Sequence, residues 1–365
     1  MFLFSCLILL LSFFVSLILI RKVVKFAYNK RVFDIEDGRK IHHGNIPRVG
    51  GIAFVMAAMV AIFVAIALLG FSNLGSFYRD IKNYLPQSLA IGLSIFIIYF
   101  FGVVDDIKNL RYRTKFSYQI LVGLMLCLTG FCFVNMRGVL GLAELPLLFG
   151  CVATVFTLVL IINAFNFIDG IDGLASGIAL LSLIYYTVLF VMNQSYLSLF
   201  SLAFIGALLP FIYFNLCGKE NKKNKTFMGD TGSTVLGLVL FVCAIVVMCM
   251  PMPMNNALYV SYNPFAYAFA PLLLPCYDVV NVVLYRLSMG RNPFKADNNH
   301  FHHKLIKLGL SQHKVLIIEL IIMIFISSFT ILSTYYVNIN LILFVSLFVW
   351  ILVNMILNKM INKKQ

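Results

Sequence analysis

The stretch Pro146–Ala164, PLLFGCVATVFTLVLIINA, runs directly into Phe165–Gly177, FNFIDGIDGLASG. The first part carries no charge, and as a helix at about 1.5 Å per residue it covers nearly the ~30 Å hydrocarbon core of a bilayer. The second part brings two carboxylates to the end of that helix. A fully apolar run that delivers acids to its terminus reads as a membrane span with polar residues at the interface.

The same pattern recurs outward in both directions. Apolar runs occupy about 2–20, 49–70, 86–104, 116–134, 146–164, 174–192, 197–216, 231–250, 265–285, 314–336 and 339–358. The chain of 365 residues is 61% hydrophobic and 12% charged, against about 45–50% and about 25% for soluble domains. Folded in water, it would expose more apolar surface than a soluble monomer tolerates. The expected fold is therefore an all-α polytopic integral membrane protein of about eleven transmembrane helices, with residues 1–365 as one membrane-embedded domain. The first run lacks a basic leader and a small-residue cleavage site, so it reads as a retained helix rather than a signal peptide.

Charge sets the expected orientation. The protein carries 28 Lys+Arg against 14 Asp+Glu. Twenty-five of the basic residues fall in 21–48, 105–115, 217–230, 286–314 and 359–365; the alternate loops hold only Arg79, Lys82 and Arg137. The positive-inside rule places the first set in the cytoplasm, with the N-terminus outside and the C-terminus cytoplasmic. No folded recognition module or long basic arm accompanies the charge, so nucleic acid is not an expected partner. The eight cysteines form no CxxC pair and read as small core residues rather than a zinc or disulfide framework.

Almost all the acids and every histidine fall on the basic side. The expected catalytic face is built from 21–48, 105–115, 163–173, 217–230 and 286–314. Asp105 and Asp106 end the third span, where mutual repulsion and the helix dipole both penalise the charges. A cation or a basic cluster relieves them, and Lys108, Arg111, Arg113 and Lys115 follow; a hydrated loop start is the bland alternative. Asn163, Asn166, Asp169 and Asp172 are spaced by three, which on a continuous helix gives one face of hard oxygen donors suited to magnesium, against a glycine-rich helix break. Asp230 opens the eighth span and alone reads as an N-cap. Asp278 lies inside the ninth span, ahead of Arg291, Lys295, His300, His302, His303 and Lys304. The HxHH run lacks the spacing of familiar zinc sites, and its basic neighbours suit phosphate better.

The segments GRKIHHGNIPRVGG (38–51), DDIKNLRYRTK (105–115), NAFNFIDGIDGLASG (163–177), NKTFMGDTGS (224–233) and RNPFKADNNHFHH (291–303), in this order, resemble the polyprenyl-phosphate N-acetylhexosamine-1-phosphate transferases. The last segment looks like the bacterial undecaprenyl-phosphate N-acetylglucosaminyl-1-phosphate branch, the phospho-N-acetylmuramoyl-pentapeptide branch being the alternative within the family. The resemblance implies transfer of a sugar-1-phosphate from a UDP-N-acetylamino sugar to undecaprenyl phosphate, at the cytoplasmic face of a bacterial inner membrane. It implies Mg2+, with Mn2+ as a substitute, and the membrane lipid and a second copy of the chain as further partners. By the same resemblance Asp105, Asp106 and Asp169 are catalytic, and Asp230 and Asn166 hold the metal. Lys115, His300, His302, His303, Arg291 and Lys108 hold phosphate, and Asn163, Asp172 and Asn215 line the nucleotide pocket. Two other classes compete. A secondary transporter normally holds its charges at the bilayer midplane within repeats, a pattern absent here. A CDP-alcohol phosphotransferase would need further spaced aspartates after DGIDGLASG.

Overall fold

The computed structural model describes residues 2–30, 46–71, 83–250, 263–292 and 299–364. These form α1 (Phe2–Lys30), α2 (Gly50–Phe71), α3 (Leu85–Lys108), α4 (Tyr112–Leu128), α5 (Leu147–Ile168), α6 (Leu174–Met192) and α7 (Leu197–Leu216). There follow α8 (Gly229–Cys249), α9 (Pro264–Phe269), α10 (Leu273–Ser288), α11 (Phe301–Lys307), α12 (Gln312–Ser333) and α13 (Ile339–Lys364). Ten helical stretches among the described residues are long and apolar enough to cross a bilayer, counting Pro264–Ser288 as one.

The remaining expected span, 116–134, is α4, which stops at Leu128. The stop is a Schellman motif: Gly130 adopts φ +97°, its N–H reaches Cys127 O at 3.1 Å, and the Phe131 N–H reaches Leu126 O at 3.1 Å. The helix lies antiparallel to α5, Gln119 facing Asn163 at one end and Cys127 facing Cys151 at the other. Running back along α5 in this way, it brings the acids ending α3 and those ending α5 to the same end of the bundle.

The core is α8, buried over 89% of its span, with α7 next at 78%; α1 and α13 are peripheral at 22% each. Lipid tails are as apolar as leucine, so helices in a membrane associate through close packing rather than through water exclusion. Here α2 meets α8 at Gly51 and Gly232: a Cβ on Gly232 would stand 2.9 Å from the Gly51 Cα, and one on Gly237 would stand 2.6 Å from the Ile162 Cα on α5.

The expected span 265–285 is one membrane crossing made of two helices. Pro271 and Pro275 interrupt the backbone ladder between α9 and α10. Neighbouring hydroxyls answer the carbonyls there: Tyr186 Oη donates to Ala268 O at 2.7 Å and Tyr185 Oη to Tyr267 O at 2.8 Å.

Candidate active site

The site is assembled from helix ends on one face of the bundle. At the end of α3, Asn109 turns left-handed (φ 50°), which lets the Leu110 N–H reach back to Asp105 Oδ1 at 2.7 Å. Asp105 Oδ2 pairs with Lys115, at the start of α4. The same ammonium reaches Asp230 Oδ2 at 2.9 Å. Asp230 Oδ1 accepts from Asn166 Nδ2 at 2.7 Å, and that amide also reaches Ser233 Oγ at 3.0 Å. Asp105 is 1% exposed. Four helices, α3, α4, α5 and α8, therefore meet in one bonded network.

Asp106 has a different task from its neighbour. Its carboxylate accepts the backbone N–H of Asp230 at 2.7 Å, that of Thr231 at 3.0 Å and the Thr231 hydroxyl at 2.5 Å. It caps α8 from another helix, where an anion complements the N-terminal dipole. Gly229 makes this geometry accessible: its φ is +75°, and a Cβ there would stand 2.8 Å from both Asp106 oxygens.

The helix α5 ends at Ile168, so Asn163, Asn166, Asp169 and Asp172 do not form one continuous helical face. Gly170 and Gly173, the latter with φ +81°, open the chain into a turn, and the four residues separate. Asn163 points to Gln119 Oε1 at 2.8 Å, and Asn166 to Asp230. Asp172 pairs with Lys225 at 2.6 Å and accepts from Asn215 Nδ2 at 3.3 Å; Asn215 Oδ1 takes the Gly173 N–H at 2.7 Å. Asp169, the residue after the helix, has no hydrogen-bond partner among the described residues. Burial, then the negative charge of Asp230, holds its carboxyl well above the usual range, against the pull of Arg48.

The histidines form a second wall. Asp278 Oδ2 bonds His300 Nδ1 at 2.7 Å and Asp278 Oδ1 takes the Phe301 N–H at 3.0 Å, fixing both the ring and the start of α11. The His300 ring lies 5.6 Å from Phe167 and is parallel to His302, 5.8 Å away. His302 is fully buried, with no hydrogen-bond partner for either ring nitrogen among the described residues. Its Nε2 stands against Gly170, where any Cβ would collide. Burial first, then the neighbouring His303 and His300, pushes its pKa well below the usual histidine value.

The structure thus joins Asp105, Asp106, Lys115, Asn166 and Asp230. It places Asp169 and Asp172 on the adjoining turn, braced by Asn215 from the end of α7, and sets His300, His302 and His303 against that turn. Lys108 and Arg291 are exposed and outside the network, Asn163 faces Gln119, and Lys304 is buried against Asn354 at 2.7 Å. Asp37–Asn45 and Lys295 lie outside the described residues. The described part of the first motif pairs with the fourth: Phe227 N–H to Pro47 O at 3.0 Å and Gly51 N–H to Met228 O at 2.9 Å. Gln119, Lys225, Thr231, Ser233 and Asp278 complete the site without having been singled out for it; only Asp278, a lone acid inside an apolar span, carried a signal in the sequence.

The ends of α3, α5 and α8 carry hard oxygen donors on this side of the bundle: the carboxylates of Asp105 and Asp230, the amide of Asn166 and, one residue past α5, the carboxylate of Asp169. That set suits a divalent magnesium-class ion, and among the described residues the Asp169 carboxylate accepts no hydrogen bond that would compete for it.

Comparisons with known proteins bear on the family of the chain. A family model described as "Glycosyl transferase family 4" matches residues 88–248. A Bacillus subtilis (strain 168) protein named "Probable undecaprenyl-phosphate N-acetylglucosaminyl 1-phosphate transferase" is 30% identical over 358 residues, 92% of this chain and 90% of that one. The Escherichia coli (strain K12) "Undecaprenyl-phosphate alpha-N-acetylglucosaminyl 1-phosphate transferase" is 28% identical over 317 residues, covering 85% and 79%. The Mycobacterium leprae (strain TN) "Decaprenyl-phosphate N-acetylglucosaminephosphotransferase" is 29% identical over 317 residues, covering 82% and 76%. With its membrane helices, its ordered motifs and these relatives across most of its length, the chain belongs to glycosyl transferase family 4, the polyprenyl-phosphate N-acetylhexosamine-1-phosphate transferases.

Proposed function

We propose that this protein transfers N-acetylglucosamine-1-phosphate from its UDP derivative to undecaprenyl phosphate, releasing UMP and leaving a lipid-diphosphate-sugar in the membrane. A phosphate oxygen of the lipid bonds to the β-phosphorus of the donor, and the bond from that phosphorus to the bridging oxygen of UMP breaks. The observation that carries the reading is the Asp105–Lys115–Asp230–Asn166 network, partly buried where four helices meet, with the histidine wall beside it. The Lys and Arg asymmetry of the loops supports a cytoplasmic face for this site, on the inner membrane of a bacterium.

Two anionic phosphates must approach each other, so the chain's task is neutralisation and alignment. Asp230, Asn166 and Asp169 are the residues suited to hold Mg2+, which when bound would offset charge on the diphosphate and stabilise the leaving group. Lys115 is already desolvated beside the carboxylates; once these are otherwise neutralised, its ammonium is available to a phosphate oxygen. His300, oriented by Asp278 through Nδ1, leaves Nε2 for the substrate, where it donates to a phosphate oxygen only in the doubly protonated ring, with His303 beside it. Asp105 positions the lipid phosphate; a phosphate monoester has a second pKa near 6 and is largely dianionic at neutral pH, so no strong base is required. Asp106 acts at one remove, by holding the start of α8. Asp172 and Asn215 brace the turn below the nucleotide.

The test uses the purified full-length protein in detergent with undecaprenyl phosphate, Mg2+ and a panel of UDP-sugars. UMP release with a lipid product heavier by one N-acetylhexosamine phosphate is the expected result. No UMP from any donor, with protein shown to be folded, overturns the reading.

A further inference from the structure

At the end of the bundle opposite the acidic network, the sulfurs of Cys127, Cys132 and Cys151 all lie within 4.8 Å of one another. The Cys132 and Cys151 sulfurs are 3.6 Å apart. The sequence gives no hint of this, because the three positions belong to no metal-ligand spacing. The fold creates it. The Schellman stop at Gly130 turns the chain back over α5, where the Phe133 N–H bonds Thr154 Oγ1 at 2.9 Å. Gly150 leaves the room required, since a Cβ there would meet Phe133 O and stand 3.1 Å from Cys132 Sγ. Cys127 and Cys132 are buried, and Cys151 is partly exposed, giving access from outside.

We propose that these three thiols bind one Cu(I) ion and thereby tie the 129–146 loop to α4 and α5. Thiolate sulfur is the preferred donor of this soft ion. A structural zinc site normally takes four protein ligands, and among the described residues this group has three. The flanking helices divide the charge. Cys151 and Cys132 lie at the N-terminal end of α5, where the dipole favours anions; Cys127 lies at the C-terminal end of α4, where it opposes them. Two sulfurs therefore bind as thiolates and Cys127 as a neutral thiol. One Cu(I) and three thiols give a complex of net charge −1 and release two protons, with no change of oxidation state.

The experiment uses full-length protein in detergent, reduced, metal-free and anaerobic, titrated with Cu(I) buffered by bicinchoninate. One equivalent retained against the chelator, with three sulfur neighbours in the X-ray absorption spectrum, is expected. Cys132→Ala should weaken retention at least 10-fold, whereas Cys217→Ala and Cys249→Ala, exposed and elsewhere, should leave it unchanged. UMP release by the Cys132→Ala protein reports that it is folded; if it is not, the spectrum of the unmodified protein decides. No retained equivalent, oxygen or nitrogen neighbours in place of sulfur, or equal retention by a folded Cys127→Ala/Cys132→Ala/Cys151→Ala protein overturns the proposal. So does a Cys132–Cys151 disulfide as the resting state of protein isolated without reductant.

Discussion

The carboxylate of Asp106 accepts the backbone N–H of Asp230 at 2.7 Å, so the second acid of α3 fixes the position of the acid that opens α8. Adjacent in sequence, Asp105 and Asp106 are separated in role by this bond. Asp106→Ala should destabilise the protein by about 1 kcal/mol through loss of the cap and lower turnover with it. Asp105→Asn should abolish most turnover while leaving thermal unfolding nearly unchanged. Melting curves and UMP release, measured on both variants, check the contrast; equal melting losses would refute it.

Asp230 joins Lys115 and Asn166, and its removal strikes the donor set at its centre. Asp230→Ala should reduce UMP release by about 10²-fold or more, the scale associated with losing one preorganised electrostatic group. Chelation of divalent ions should abolish turnover of the unmodified protein, and added Mg2+ should restore it. Near-normal turnover in Asp230→Ala would remove this residue from the metal set.

Gly170 is needed for the space it leaves rather than for its backbone freedom. Gly170→Ala pushes a methyl group into the His302 ring and should cost about 1–3 kcal/mol, the usual range for overpacking. Combining it with His302→Ala should return much of that stability without returning activity. A double-mutant cycle in thermal unfolding measures the coupling, and strict additivity would show that the two residues do not meet.

His302 also sets a pH dependence. Its folded pKa lies well below the usual value, while in the unfolded chain it is about 6.5. Between those two values the unfolded chain binds the extra proton, so stability rises with pH through the window and is lost as pH falls below about 6.5. The melting temperature should drop from pH 7.5 to pH 5.5, and His302→Gln should flatten that slope. An unchanged slope would show that His302 does not titrate in this way.

Asp278 acts through His300. Asp278→Asn should lower kcat by about 10²-fold, the cost of misplacing a reacting group by about 1 Å, and shift the pH profile of turnover. Loss of both effects would make the acid a structural anchor for α11 alone.

Most of the fold was legible because lipid imposes length and apolarity on each crossing, as in 174–192 and 197–216, which match α6 and α7. The fourth span was drawn too long, since Phe131–Val134 is as apolar as a helix interior and only the glycine at 130 marks the stop. The site residues were legible as types. Their grouping was not, because Asn163, Asn166, Asp169 and Asp172 share a spacing that the turn at Gly170 and Gly173 breaks. Asp278 meeting His300, and Lys225 meeting Asp172, join residues 22 and 53 positions apart, and no local pattern encodes such pairings. The three thiols were hidden for the same reason.

The short turn after α5 links three parts of the site. Asn166 before it holds Asp230, Asp172 within it holds Lys225, and Gly170 at its crest supports His302. A substrate that shifts this turn on arriving at one wall alters the other walls as well. Nucleotide sugar and lipid phosphate should therefore load interdependently, each changing the other's apparent affinity, rather than fill two separate compartments at random.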